Sequence, residues 1–121
     1  MMFRSAIATV ALAAAVVSAP AVYAQSGDTG ERASQCFVLY KMAAASPANA
    51  AHRTDIERLG QLMARTMQDS QVSKKQFDGW TGELLARIGA KDKVNPGVLA
   101  KERDACNAFA KARYTHYAAK K

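Results

Sequence analysis

One run of 12 residues, Ala6 to Val17, is apolar but for Thr9, and no later stretch repeats it. From Gln25 to Ala33 the chain turns polar, carries Gly27 and Gly30, and shows no apolar period, so it reads as a flexible leader. Beyond it apolar positions recur at helical rather than alternating spacing, among Ala, Leu, Lys, Arg, Gln and Met, which favour helix. Four helices and no sheet follow. The first spans about Ser34 to Ala45, with Cys36, Leu39, Tyr40 and Ala43 on one face. Ser46-Pro47 ends it and starts a second helix that reaches about Asp69, with Ser46 as cap and a stripe of His52, Ile56, Leu59, Met63 and Thr66. The third opens on Ser73-Lys74-Lys75-Gln76, a capping box, carries Phe77, Trp80, Leu84 and Ile88 on one stripe, and stops at Gly89. Gly79 and Gly82 inside it each cost about 1 kcal/mol relative to Ala, which points to a neighbouring backbone packed close beside Trp80. Asn95-Pro96 starts the fourth helix, whose face of Leu99, Cys106, Phe109, Ala110 and Tyr117 runs to about Ala118. Short loops between four helices predict a compact antiparallel all-α bundle, a single domain over residues 34–121.

The N-terminal run changes the picture of where that domain works. Arg4, the apolar run, Pro20 and Val22-Tyr23-Ala24 have the layout of a secretory signal over residues 1–24, cleaved after Ala24. The run is too short to serve as a permanent anchor, which needs ~20 apolar residues. No Cys near the cleavage site offers a lipid anchor, and Arg4 stands alone rather than as a twin arginine. A periplasmic or secreted location is the expectation.

Cleavage would leave 97 residues, a chain that buries a modest core and gains from a covalent staple. Cys36 and Cys106 are the two cysteines, and in an oxidising compartment they read as one disulfide joining the first helix to the last. Closing a loop of 70 residues would stabilise the fold by roughly 4 kcal/mol in the chain-entropy model. Two alternatives compete with the bond: a catalytic thiol, for which His52 and His116 are distant in sequence, and zinc, for which Cys36, His52, Cys106 and His116 lack close paired spacing.

Charge is unevenly placed. From Gln25 to Asp69 five basic residues balance five acidic ones, whereas Ser70 to Lys121 carries eleven against five, with no acid after Asp104. Most charges have a partner four residues away on a solvated helix face: Arg53 with Glu57, Lys74 with Asp78, Glu83 with Arg87. The sequence contains no glycine-rich phosphate loop, serine elbow, HExxH or CxxCH motif, and no pair of acids whose facing can be argued, so no enzyme, cofactor or metal is expected. Met63 and Met67, with His52, have the spacing of a soft-metal site, but two methionines on an apolar stripe read first as core. His52 reads as a half-buried, hydrogen-bonded stripe residue, and His116 as a complement to the helix dipole.

The tail is where binding chemistry concentrates: Lys111, Arg113, Lys120 and Lys121 have no nearby acid in sequence and alternate with Tyr114 and Tyr117. A helix end of that kind suits lipid head groups, lipopolysaccharide or peptidoglycan carboxylates, while the helix dipole alone also gathers cations there. Export argues against a nucleic-acid partner. A signal ending near Tyr23-Ala24-Gln25, a Ser34-Gln35-Cys36 helix, a Trp80-bearing third helix and Cys106 in the last helix together resemble small exported two-cysteine helical proteins of proteobacteria, a group with no assigned function. A remoter, architectural likeness is to the HdeA-type acid-stress chaperones of the periplasm. The expectation is a non-catalytic helical protein that binds an anionic envelope component or another periplasmic protein through its basic C-terminal half. A periplasmic stress chaperone is the alternative, ahead of a small enzyme or metal-binding protein.

Overall fold

The computed structural model describes residues 29–89 and 91–120. The expected signal at residues 1–24 and the first part of the expected leader at 25–28 lie outside the described residues, as do Ala90 and Lys121. Four α-helices pack together: α1 (residues 29–45), α2 (Arg53–Asp69), α3 (Lys74–Ile88) and α4 (Pro96–Ala119). Short 3-10 segments, Pro47–His52 and Lys91–Lys93, join α1 to α2 and α3 to α4. Cys36 and Cys106 are disulfide-bonded, so the first helix is tied to the last as expected.

Local sequence explains most of the ends. The Ser73 side chain accepts from the Gln76 N–H at 3.1 Å while the Gln76 side chain accepts from the Ser73 N–H at 2.9 Å, a complete capping box. The Asn95 side-chain oxygen accepts from the Val98 N–H at 3.1 Å, and Pro96 fills the first turn, where a missing N–H costs nothing. Gly89 ends α3 at φ +93°, and a Cβ there would fall on the Lys93 carbonyl, so this position requires glycine.

Three expectations are corrected. Residues 29–33, assigned to the leader, are helical, and Ala33 and Gly30 are buried. The cause is tertiary: a Cβ on Gly30 would meet Val72 at 3.0 Å and Trp80 at 3.7 Å, so this turn of α1 packs against the α2–α3 junction. Second, Pro47–His52 winds as a 3-10 helix, Ser46 makes no side-chain cap, and the Arg53 guanidinium instead donates to the Ala44 carbonyl at 2.9 Å. At three residues per turn the segment falls out of phase with the α2 stripe, which leaves His52 exposed. Third, nothing lies within 4 Å of a Cβ built on Gly79 or Gly82, so neither marks a close backbone approach.

Helices α1 and α2 run antiparallel, with Gly30 beside Ser70 and Val72 and Tyr40 beside Gly60. Contacts of α4 with α1 advance in the same sense along both: Arg32–Glu102, Cys36–Cys106, Tyr40–Asn107. The core cluster joins Ala33, Cys36, Leu39 and Tyr40 of α1 to Met63 of α2 and to Cys106 and Ala110 of α4. Leu84 and Ile88 of α3 are buried as well. The buried polar side chains Ser34, Gln35, Thr66 and Thr81 are hydrogen-bonded locally or across helices, as burial demands. Gln35 donates to the Trp80 carbonyl at 2.9 Å and accepts from Arg87 at 3.0 Å.

Candidate anion-binding surface

The C-terminal half of α4 meets the end of α2 around one buried aromatic ring. Tyr117 is 6% exposed, and its hydroxyl donates to Asp69 Oδ2 at 2.5 Å. The Arg65 guanidinium carbon lies 3.8 Å from the ring centroid and that of Arg113 lies 5.3 Å from it, both cation–π contacts. The His116 ring meets the same ring edge-on at 5.2 Å. Lys120 and Arg113 are close enough to His116 to disfavour its charge. Two guanidiniums and an imidazole therefore gather on one ring, with Lys120 near the imidazole, while the carboxylate of Asp69 is hydrogen-bonded to the phenol of that ring. No ion pair joins Asp69 to any of these cations within 4.0 Å among the described residues.

Two features mark the cluster as electrostatically incomplete. Arg113 Nε is buried with no hydrogen-bond partner, a costly state for a charged donor. His116 has its pKa lowered below the ordinary imidazole value, chiefly by partial burial and then by the Arg113 and Lys120 charges, with Asp69 opposing and Arg65 adding to the fall. That shift works against the dipole-complementing charge expected from its place near the helix end.

The tail residues read from sequence thus divide. Arg113 and Tyr117 belong to the cluster, with Tyr117 turned inward rather than presented to a partner. Lys111 and Lys120 are exposed and carry no ion pair among the described residues, and Tyr114 is 71% exposed. Lys121 lies outside the described residues. Arg65 and Asp69, spaced four apart near the end of α2, escaped the sequence reading because only the fold brings them to Tyr117, 48 residues beyond Asp69.

Other charges settle differently from their spacing. Lys74 and Asp78 pair at 2.6 Å as expected. Arg87 pairs not with Glu83 but with Glu102 at 3.2 Å, where Arg32 also approaches at 3.7 Å. Asp55, not Glu57, holds an arginine on α2, through Arg58 at 3.8 Å. The disulfide consumes both sulfurs, so neither is a thiolate for catalysis or zinc. Met63 is fully buried in the core. Among the described residues no three His, Cys, Asp or Glu side chains converge, and no helix is long and apolar enough to cross a membrane.

Comparison with known protein families, with curated proteins and with solved structures finds nothing that matches this chain.

Proposed function

We propose that the protein is a non-catalytic, exported helical binding protein that docks on a polyanionic component of the cell envelope through the C-terminal half of α4 and the neighbouring end of α2. The observation that carries this reading is the cation cluster at Tyr117, with an unpartnered Arg113 Nε inside it, unpaired Lys120 beside it and Lys111 exposed on another face of α4. Such a surface attracts phosphate or carboxylate arrays over about a Debye length, and each Lys or Arg near an anionic lipid surface contributes about 1 kcal/mol. The disulfide is in keeping with an oxidising compartment outside the cytoplasm.

Co-sedimentation with phosphatidylglycerol vesicles and with purified sacculi, at low and high salt, tests the proposal. Binding is expected to fall with salt, and Lys111→Gln/Lys120→Gln is expected to weaken it by roughly 2 kcal/mol, or about thirtyfold. Both residues are exposed, so the variant leaves the core untouched. Binding to neither surface, or binding indifferent to salt and to the variant, would sink the envelope reading and favour a protein partner.

A second reading, a stress chaperone, is supported by the thinness of the core: Met63, Leu84 and Ile88 are its largest fully buried side chains, while Phe37, Leu62, Met67 and Phe109 pack around it only partly buried. Acid-induced loosening with dye-accessible apolar surface and suppressed aggregation of a client would mark that activity. Salt-sensitive docking of the native fold would not.

A further inference from the structure

Beside Tyr40 a cavity of about 600 Å3 opens between α1, the Pro47–His52 turn, the start of α2 and α4. Its volume falls within the range of small-molecule sites. The wall is mainly hydrocarbon, with Leu39, Ile56, Leu59 and Leu99 facing it and Met42, 40% exposed, beside the opening. Two polar groups from adjacent turns of α4, Arg103 and Asn107, share the lining. Arg103 is exposed and has no ion-pair partner among the described residues. Asn107 Oδ1 accepts from the Tyr40 hydroxyl at 2.8 Å, which orients the amide and leaves its N–H groups to donate. Burial pushes the Tyr40 phenol up to about 12, so its proton stays in place to hold that geometry.

No acidic residue lines this cavity. A smaller groove between α1 and α2, about 370 Å3 and also touching Tyr40, is lined by both Lys41 and Glu57 and so supplies its own counter-charge. We propose that the larger cavity binds an aliphatic monocarboxylate, its chain among Leu39, Ile56, Leu59 and Leu99 and its head group on Arg103 and the Asn107 amide. A carboxylate matches the planar guanidinium in two parallel hydrogen bonds, which an alcohol does not reproduce. The site is separate from the Tyr117 cluster and does not depend on the docking reading.

The oxidised protein, recovered after export through its own N-terminal segment, is titrated calorimetrically with decanoate, decan-1-ol and acetate. Saturable one-to-one binding of decanoate is expected, with acetate inert and decan-1-ol at least about tenfold weaker, the ordinary loss for a charge-assisted pair. Arg103→Gln is expected to weaken decanoate about tenfold without changing decan-1-ol, and Lys111→Gln/Lys120→Gln to leave decanoate unchanged. Ala43→Phe, which fills the cavity from α1, should abolish binding while thermal unfolding stays cooperative. If that variant fails to fold, the Arg103 variant and the alcohol comparison decide alone, since Arg103 is exposed. No decanoate binding, equal binding by decan-1-ol, or affinity untouched by Arg103→Gln would each overturn the proposal, as would a dimer whose interface closes the cavity.

Discussion

His116 reports on the Tyr117 cluster more directly than any other single residue. Its proton is opposed by partial burial and by Arg113 on α4, Lys120 just past its end and Arg65 on α2, while Asp69 alone favours it; Tyr117 meets it in a T-shaped ring contact. The folded state therefore binds this proton less tightly than the unfolded chain, whose imidazole titrates near 6.5. The contribution to stability is fully present above that value and is lost as pH falls through 6.5 toward the lower folded pKa. An NMR titration of the imidazole should give a midpoint below 6.5, lowered further by Asp69→Asn and raised by added inorganic phosphate as an anion enters among the cations. A midpoint at or above 6.5 would remove the electrostatic case for the cluster. Tyr117 shows why such a site is hard to read from residues alone: it alternates with lysines in sequence like a surface aromatic, yet its ring is the floor on which two arginines rest.

Helix α3 carries the sharpest test of local against tertiary causes. Gly79 and Gly82 lie mid-helix with open space where a Cβ would be, so Gly79→Ala and Gly82→Ala should each raise unfolding free energy by up to about 1 kcal/mol, measured by urea denaturation. Destabilisation by either substitution would mean that a partner covers this face. The start and stop of the same helix were legible because they depend on neighbours: Ser73 with Gln76, and Gly89 at positive φ. The apolar stripes of α3 and α4 were legible for a similar reason, since burial of Leu84, Ile88, Cys106 and Ala110 follows helical spacing. The start of α1 was not, because its first turn is polar and is held by Val72 and Trp80, more than forty residues away. Arg87 was misassigned because Glu83 at four residues offers one carboxylate, whereas Glu102 and Gln35 offer acceptors that the fold has already gathered. His52 slipped because a 3-10 segment abandons the period on which the stripe was counted.

For the whole molecule, the decisive balance is between a thin core and one covalent staple. A domain of this size has a total stability of about 5–15 kcal/mol, and the 70-residue loop closed by Cys36 and Cys106 accounts for roughly 4 kcal/mol of it in the chain-entropy model. Cys36→Ser/Cys106→Ser should therefore lose about 4 kcal/mol in urea denaturation, with a larger fluorescence rise from an apolar dye than the parent shows. A loss below about 1 kcal/mol would mean that helix packing alone sustains the fold. Both sulfurs sit in the core cluster with Met63, Leu39 and Ala110, so the bond also fixes where α4 crosses α1 and thereby the walls of the cavity beside Tyr40 and Asn107. Loss of the bond should then abolish decanoate binding before helicity falls, whereas docking through the exposed Lys111 and Lys120 should outlast it. The order of those two losses separates a property of the assembled fold from a property of one helix, and in a reducing compartment only the second would survive.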